Sequence, residues 1–408
     1  MFRLQPQLEI HRPFRHLLST KTKCQVSDPP QPRPTTFFRG GMKLKQFVQH
    51  QVFELIYLLV LAFLPFFVAQ KVVGLIILTV IGVSGFYYLF KRLMNKTIEI
   101  TGQAVLITGC DSGFGNAIAR RLDSMGFLVL AGCLNEKGSG AERLQASASG
   151  RIHVFELDVT SDYSVESCLE MVNQLTSERG LWALINNAGI NFEGDFEFCT
   201  LDMYRQVMEV NLYGTIRMTK AFLPLIRRAK GRVINVSSAK GQLAAPGNSV
   251  CGVSKFGLES VSDVLRLELS QFDVKVVVVE PGNFGGATGM LSKPTLTRMR
   301  DEYDEMWEKA SSDVKETYGK AYLDAKYDAI AQSASTTCST LAPVVDALED
   351  SVCNVNPLTR YLVSGSNQWV DFFVILIYLK TILPVSWIDS LIIKEFIQPY
   401  PRAAQAVR

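Results

Sequence analysis

Two long apolar stretches, residues 52–69 and 72–90, dominate the hydrophobic pattern near the start of the chain. Each is about long enough to cross a bilayer, for which roughly 20 residues suffice. Only a Gln-Lys pair separates them, so the pattern predicts either a tight helical hairpin or one span followed by an interfacial helix. We therefore expect a membrane anchor over 46–96 with one or two transmembrane helices. A buried helix pair of a soluble protein is the alternative.

From about residue 100 onward, short apolar runs alternate with longer helix-like stretches. The predicted strands are 104–107, 127–132, 152–157, 181–185, 232–236 and 274–279, and the predicted helices are 116–125, 163–176, 204–226 and 255–271. This alternation is typical of a parallel sheet with helices on both faces. The pattern predicts an α/β fold with a doubly wound, Rossmann-like parallel sheet.

The two ends of the chain differ from this central region. Residues 1–45 form a basic, proline-containing tail or linker, and its first part is either a mitochondrial-type targeting segment or a disordered basic tail. After residue 281 the strand and helix alternation loosens, although residues 290–330 look helical and charged. Residues 366–408 form an apolar extension that proline interrupts, and its longest uncharged run is too short to span a bilayer.

The charge distribution narrows the range of partners. The net charge is +3, yet residues 1–51 carry nine Lys and Arg against two acids, which leaves the remaining chain at about −4. A slightly acidic body argues against nucleic-acid binding. The eight cysteines include no Cys-x-x-Cys pair, which suits free thiols in a reducing compartment. Three of the four histidines lie in the first 50 residues, so we expect no metal site in the body.

The strongest chemical signal is a glycine-rich turn between the first predicted strand and helix. It reads Thr-Gly-Cys-Asp-Ser-Gly-Phe-Gly over residues 108–115. Glycines let the backbone approach a pyrophosphate, and the helix N-terminus supplies N–H donors and a positive dipole end. A tight turn with no ligand is the alternative, since one glycine-rich match is weak evidence.

Further motifs follow the turn in a fixed order. They are Asn186-Asn187-Ala188-Gly189 after a second apolar strand, then Asn211, Ser237-Ser238, Lys255 and Pro281-Gly282. Their types, order and spacings resemble those of the short-chain dehydrogenase/reductase family. In that family a catalytic Tyr lies thirteen residues after the Ser and four before the Lys. Both counts lead in this chain to Cys251.

The resemblance implies a site for a nicotinamide cofactor. The implied cofactor-binding residues are Thr108, Gly109, Ser112, Gly113, Phe114, Gly115, Asp158, Val159, Asn186, Ala188, Gly189, Lys255, Pro281, Gly282 and Thr288. The implied catalytic residues are Asn211, Ser238 and Lys255, with Cys251 at the Tyr position. Two of these residues have a plain structural alternative, because Asp158 could cap the following helix and Asn186 could brace the sheet.

The choice between NAD and NADP depends on the end of the second strand, where an acid favours NAD and a base favours NADP. Residues 131–135 contain neither an Asp nor an Arg. The missing base weighs modestly toward NAD, and NADP stays open.

The resemblance is most specific to the branch of the family that contains hydroxysteroid, retinol and 3-hydroxybutyrate dehydrogenases. It extends over about residues 100–365. It implies a short-chain dehydrogenase domain over 97–365, a small lipophilic alcohol or ketone as substrate, and a possible homo-oligomer. With the predicted anchor, it implies a membrane enzyme of the endoplasmic reticulum whose catalytic domain faces the cytosol; a mitochondrial membrane is the alternative. A substrate such as 3-hydroxybutyrate would need a cation, for which Lys240, Lys293 and Arg298 are candidates.

Because Cys251 takes the place of the Tyr, the sequence alone does not decide whether the protein is catalytically active. A thiol is shorter than a phenol and should not reach the oxygen that a Tyr would touch. Losing a general acid or base typically costs about 10²–10⁴ in rate. Three interpretations stand side by side: a weakened or inactive cofactor-binding relative, a water in place of the phenol, or a single-base variant of an active enzyme.

Overall fold

The computed structural model describes residues 44–94, 96–147, 149–333, 337–366 and 371–397. The predicted basic tail over 1–45 lies almost wholly outside these residues. The chain divides into two compact units, Met1–Gly85 and Phe86–Arg408. The predicted domain boundaries at 97 and 365 stay a prediction.

The described part begins with one helix, α1, over Leu44–Met94. Its stretch Val48–Phe90 is apolar enough to cross a membrane and is not buried against other parts of the protein. At 1.5 Å per residue that stretch is about 65 Å long, roughly twice the hydrocarbon thickness of a bilayer. Of the two predicted arrangements, the hairpin is not formed in this described region, because α1 continues through Gln70 and Lys71. Both residue types are good helix formers, and no glycine or proline breaks the helix between the two apolar stretches.

The body is built on a seven-stranded sheet in which every neighbouring pair of strands is parallel. The strands are β1 Ala104–Thr108, β2 Leu128–Cys133, β3 Ile152–Glu156, β4 Ala183–Asn186, β5 Arg232–Val236, β6 Lys275–Pro281 and β7 Arg360–Val363. Their order is β3-β2-β1-β4-β5-β6-β7, so the order reverses between β1 and β4. In open sheets of this kind, ligands bind outside the carboxyl ends of the strands at this reversal.

Helices cover both faces of the sheet. After α1 they are α2 Gly113–Met125, α3 Ser139–Ala146, α4 Asp162–Thr176, α5 Leu201–Met208, α6 Thr215–Ala229, α7 Ser249–Leu269, α8 Gly285–Thr288, α9 Lys293–Lys309, α10 Ser312–Tyr318, α11 Lys320–Ser333, α12 Ala342–Cys353, α13 Phe372–Leu379 and α14 Val385–Phe396. A π-helical turn, Glu209–Gly214, joins α5 to α6. The predicted doubly wound α/β fold is confirmed.

The alternation of side chains along β1 divides the core between the two faces. Val105 and Ile107 belong to one apolar cluster, together with residues of α2 and α12. Ala104 and Leu106 belong to a second cluster, together with residues of α4 and α6. Because β1 is buried on both sides, its residues are apolar up to Thr108. Thr108 is the polar residue at the carboxyl end of the strand.

Several predicted boundaries differ from the structure. The predicted helix 204–226 is divided by the π-helical turn, and α7 begins six residues before the predicted start at 255. The earlier start places Cys251 inside the first turn of α7. The loosely ordered region after residue 281 contains β7 and α12, which the sequence pattern did not predict.

Candidate active site

The glycine-rich turn lies at the carboxyl end of β1, where the strand order reverses. Gly109 has φ +70°, and a Cβ there would lie 2.8 Å from the Cα of Ala188. A Cβ on Gly115 would lie 2.3 Å from the carbonyl oxygen of Gly109. Both positions therefore require glycine, because the start of α2 and the segment after β4 lie close against the turn. Gly113, with φ +59°, has the side chain of Thr288 at 3.6 Å from its ideal Cβ.

A pair of side chains fixes this turn against the end of β4. The hydroxyl of Thr108 accepts the backbone N–H groups of Asn187 and Ala188 at 3.0 and 2.9 Å. In return, the amide of Asn187 donates to the carbonyl oxygens of Thr108 and Gly109 at 2.9 and 3.0 Å. The predicted residues Thr108, Gly109 and Ala188 are thus brought together, and Asn187 is a positioning residue that the sequence prediction did not single out.

The loop after β6 closes the other side of the turn. Phe114, in the first turn of α2, meets Phe284 edge to face at 5.6 Å. Thr288 is held through its hydroxyl, which donates to the carbonyl oxygen of Phe284 at 3.0 Å. Ser112 precedes α2 and makes no capping hydrogen bond from its side chain, so the first N–H groups of α2 are left for a ligand.

Three predicted cofactor residues have structural partners. Asp158 accepts both the N–H and the hydroxyl of Thr160, at 2.9 and 2.8 Å, while Ser161 caps α4. Val159 is buried. Asn186 donates to Asn235 at 2.9 Å and is 3% exposed, so it braces the sheet as the alternative interpretation held. Their contacts with a cofactor stay predictions.

The predicted catalytic residues come from β5, the turn after it, and α7. Ser238 follows β5, and its hydroxyl donates to the carbonyl oxygen of Pro281 at 3.2 Å. Cys251 and Lys255 are one helical turn apart on α7, so they share a face. Lys255 donates to the carbonyl oxygen of Val236 at 2.8 Å, and burial lowers the pKa of its ammonium.

The turn at Ala239–Gly241 packs closely on α7. A Cβ at Gly241 would lie 3.2 Å from the carbonyl carbon of Lys255 and 2.9 Å from the hydroxyl oxygen of Ser237. This contact holds the Ser238 and Lys255 segments together. The fourth predicted residue, Asn211, lies in the π-helical turn and donates to the hydroxyl of Ser254 at 3.1 Å. Asn211 also neighbours Gly189, whose ideal Cβ lies 3.3 Å from the Asn211 amide oxygen, whereas Gly282 packs against Gly365.

Two contacts made by charged groups near the site were not part of the sequence prediction of a catalytic set. The ammonium of Lys240 lies 2.5 Å from a carboxylate oxygen of Glu193, and both side chains are mostly buried. Asp111 reaches from the glycine-rich turn to the end of β2, where its carboxylate accepts the N–H groups of Leu134 and Asn135 at 2.9 and 3.1 Å. Neither contact follows from local spacing, since each joins residues far apart in the chain.

Comparison with known proteins decides the family. Residues 103–297 match the family described as short chain dehydrogenase. Over 326 residues, 79% of this chain, the sequence is 40% identical to 17-beta-hydroxysteroid dehydrogenase type 6 of Bos taurus and covers 97% of it. The chain belongs to the short-chain dehydrogenase family.

Two other relatives and one solved structure agree with this assignment. Mitochondrial D-beta-hydroxybutyrate dehydrogenase of Bos taurus is 44% identical over 276 residues, which are 66% of this chain and 80% of the relative. Retinol dehydrogenase 7 of Mus musculus is 38% identical over 311 residues, which are 76% and 94%. A short-chain dehydrogenase from Streptomyces avermitilis has a TM-score of 0.52 at 25% identity, covering 70% of this chain and 94% of that one.

Short-chain dehydrogenases use a nicotinamide cofactor, which supplies or accepts a hydride at the substrate carbon. The turn fits such a group, because Gly109 and Gly115 allow close backbone approach and the first N–H groups of α2 have no side-chain cap. Cys251 lies at the position where the family resemblance implies a Tyr, and its role stays a prediction. No group of three metal-ligating side chains occurs among the described residues.

Proposed function

We propose that this short-chain dehydrogenase is a membrane-anchored, NAD(H)-dependent enzyme that interconverts a secondary alcohol and a ketone on a lipophilic substrate of the steroid or retinoid class. The observation that carries the proposal is the assembled site: the glycine-rich turn, Ser238 and Lys255 are held at one edge of the sheet. The relatives named for hydroxysteroid and retinol cover more of this chain than the hydroxybutyrate enzyme does.

An apolar lobe beside the site supports a lipophilic substrate. Val250, the neighbour of Cys251, belongs to a buried cluster that α9 and α11 complete. The other buried members are Phe198, Met203, Val207, Met299, Tyr303, Met306 and Leu323. Methionine and aromatic side chains adapt to apolar ligands of irregular shape. The protein interior next to Cys251 is therefore apolar, which suits a lipophilic rather than a charged substrate.

The competing candidate is oxidation of 3-hydroxybutyrate, which the 44% identity to D-beta-hydroxybutyrate dehydrogenase favours. That substrate carries a carboxylate and needs an available cation. Two of the three candidate cations already face carboxylates, since Lys240 pairs with Glu193 and Arg298 pairs with Glu302 at 3.1 Å. A compensated cation is a weaker anion site, and we therefore rank the hydroxybutyrate reaction second.

Preference for NAD is supported by Asp111. The sequence contains no acid at the end of β2, but Asp111 presents its carboxylate there from the neighbouring turn. In dinucleotide-binding folds this place receives the adenosine ribose, and an acid accepts its hydroxyl while it repels a 2′-phosphate. Asp111 would serve the same discrimination from a different element.

Membrane anchoring is supported by α1. Its apolar stretch, Val48–Phe90, is exposed throughout and carries lysine and arginine at both flanks. Positive charge near the ends of an apolar helix favours the cytosolic side. We place the enzyme in the endoplasmic reticulum membrane with its catalytic domain facing the cytosol, and a mitochondrial membrane is the alternative.

The deciding experiment is a cofactor and substrate panel on the purified full-length chain. NADH and NADPH binding are measured by calorimetry, and turnover is followed with hydroxysteroids, retinol, 3-hydroxybutyrate and their ketone or aldehyde partners. We expect NADH binding and turnover of a steroid or retinoid. Turnover of 3-hydroxybutyrate alone would replace the lipophilic assignment, and a folded chain that binds neither cofactor would refute the proposal.

A further inference from the structure

The site poses a specific chemical question, because a ketone that receives a hydride at carbon needs a proton at oxygen. In this chain the Tyr position holds Cys251, whose thiol is too short to replace a phenol. The hydroxyl of Ser238 is engaged with the carbonyl oxygen of Pro281. Two lysines of the described site lie on the segments that meet at Cys251: Lys240, in the turn that packs on α7, and Lys255, one helical turn further along α7.

Of these two lysines, Lys240 is the one that the turn places directly beside Ser238. Its backbone N–H donates to the Ser238 hydroxyl at 3.1 Å. Its side chain is 30% exposed, so it lies neither in bulk water nor sealed in the core. The Cys251 segment lies against the same turn, since an added Cβ at Gly252 would be 4.0 Å from the carbonyl oxygen of Lys240. The ammonium of Lys255, by contrast, donates to the carbonyl oxygen of Val236 at the end of β5.

We propose that Lys240 supplies the proton in the ketone-reducing direction and that Glu193 keeps it charged. As the carbonyl carbon receives hydride from the bound nicotinamide, the carbonyl oxygen takes a proton from Nζ of Lys240, whose ammonium becomes an amine. The C=O double bond becomes an alcohol C–O–H, and Lys240 regains its proton from solvent through its exposed edge. This role of Lys240 rests on the proposed function, because it supplies the proton that the proposed ketone reduction needs.

The electrostatics of the pair support this assignment. Burial alone would lower the pKa of Lys240, but the carboxylate of Glu193 acts the other way, and the net effect raises it. Glu193 is itself placed by the loop after β4, where it also accepts the amide of Asn191 at 2.9 Å. The other charged group that faces Cys251, Lys255, has a pKa that burial lowers.

These directions give a pH signature with a definite sign. A lysine whose pKa is raised stays protonated through the neutral range, so reduction should be flat there and fall only as pH rises past its pKa. Reversal of the reaction needs the neutral amine, so alcohol oxidation should rise toward alkaline pH. Glu193→Gln removes the main stabilising charge, and the falling limb of reduction should then move to lower pH. A limb that belongs to Lys255 would stay in place in this variant.

The test uses the full-length chain and the ketone that its Cys251→Tyr form reduces. Lys240→Arg keeps the positive charge and the ion pair, but an arginine does not give up its proton. We expect Lys240→Arg and Lys240→Met each to lower reduction by about 10²–10⁴, with NADH affinity unchanged. In the Cys251→Tyr background, where a phenol supplies the proton, Lys240→Arg should cost far less.

A second readout does not depend on turnover. The pH dependence of Lys240 acetylation, followed by peptide mass spectrometry without cofactor, reports its pKa directly, and Glu193→Gln should lower it. Full reduction by Lys240→Arg, or a parent chain that binds NADH yet fails to reduce the ketone, would overturn the role of Lys240. Failure of the parent chain to bind NADH would instead overturn the proposed function.

Discussion

The side-chain amide of Asn211 forms two hydrogen bonds with the backbone of a single residue, Ile190. Its oxygen accepts the Ile190 N–H at 2.9 Å, and its nitrogen donates to the Ile190 carbonyl oxygen at 2.9 Å. The same nitrogen reaches the hydroxyl of Ser254 on α7 at 3.1 Å. One amide therefore ties the loop after β4 to the helix of Cys251 and Lys255. The π-helical turn aims this amide inward, as such turns often do at functional sites.

Asn211→Leu should destabilise the fold and lower turnover together. Leucine has a similar shape but leaves the N–H and carbonyl of Ile190 without their partner, and a buried unpaired polar group costs about 1–3 kcal/mol. We expect a loss of about 2 kcal/mol in the free energy of unfolding by urea. The matched control is Asn173→Leu on the exposed face of α4, which should change neither quantity. An unchanged unfolding midpoint for Asn211→Leu would remove its positioning role.

Gly113→Trp should weaken NADH binding without unfolding the protein. The backbone at Gly113 is left-handed, with φ +59°, and an added side chain would point toward Thr288 across the turn. Gly102→Trp is the control, because Gly102 has φ +79° and no atom within 4 Å of its ideal Cβ. Both variants carry comparable backbone strain, about 1–2 kcal/mol. Calorimetry should show lost affinity for Gly113→Trp alone; equal affinity in the two would move the cofactor site elsewhere.

The sequence predicted the sheet well because its strands are buried on both faces. Apolar runs such as 232–236 can hardly be anything but interior strands in a chain of alternating elements. The sequence pattern did not predict the π-helical turn at Glu209–Gly214. A single turn that is wider by one residue hardly changes the helical periodicity of the segment around it. α12 was missed although Val344, Leu348 and Val352 recur at helical spacing and pack with α2.

The candidate site likewise contains features that the sequence predicted and features that it did not. The glycines and Thr108 were predictable because they belong to one contiguous motif between a strand and a helix. Asp111 was read only as part of a motif, since its partners at Leu134 and Asn135 come from the next strand. The pairing of Lys240 with Glu193 likewise depends on how two loops meet. Charged contacts between loops are set by tertiary structure and leave no periodic signal in the sequence.

Asp111→Asn should relax the discrimination against NADPH. The carboxylate stands at the end of β2, where a 2′-phosphate would meet its charge. Removing one charge at a partly exposed position should raise NADPH affinity relative to NADH roughly tenfold, which is about 1.4 kcal/mol. Asp202→Asn on α5 removes the same charge at an exposed position and should leave the ratio unchanged. If the ratio of the two dissociation constants stays the same in Asp111→Asn, the NAD preference has another source.

The full-length chain should behave as an integral membrane protein through α1. After alkaline carbonate extraction of membranes, the protein should stay in the pellet. A chain that begins at Lys96 should be released and still fold, because Lys96 keeps its backbone bond to Val355 at 2.7 Å and Ile98 keeps its bond to Cys353 at 2.8 Å. Release of the full-length chain into the supernatant would contradict the anchor.

Cys251→Tyr should raise turnover, within the roughly 10²–10⁴ range expected of a positioned acid or base. Ser238 and Lys255 are present at the family spacing, and Lys255 lies one helical turn from position 251 on the same face of α7. Cys251 itself is 6% exposed, and the new ring must find room next to Val250 in the apolar lobe. Kinetics with the best substrate of the panel measure the gain.

Cys251→Phe separates the hydroxyl from the ring that carries it. Both variants fill the same space, and over-packing at this buried position would cost each about 1–3 kcal/mol of stability. Only Tyr adds a proton donor, so we expect a gain for Tyr, none for Phe, and equal unfolding midpoints for the two. Equal turnover of the Cys, Tyr and Phe forms, all of them folded, would mean that the parent chain already has an adequate proton donor outside position 251. Under the proposed assignment that donor is Lys240, and the added Lys240→Arg change would then slow the Cys form and spare the Tyr form.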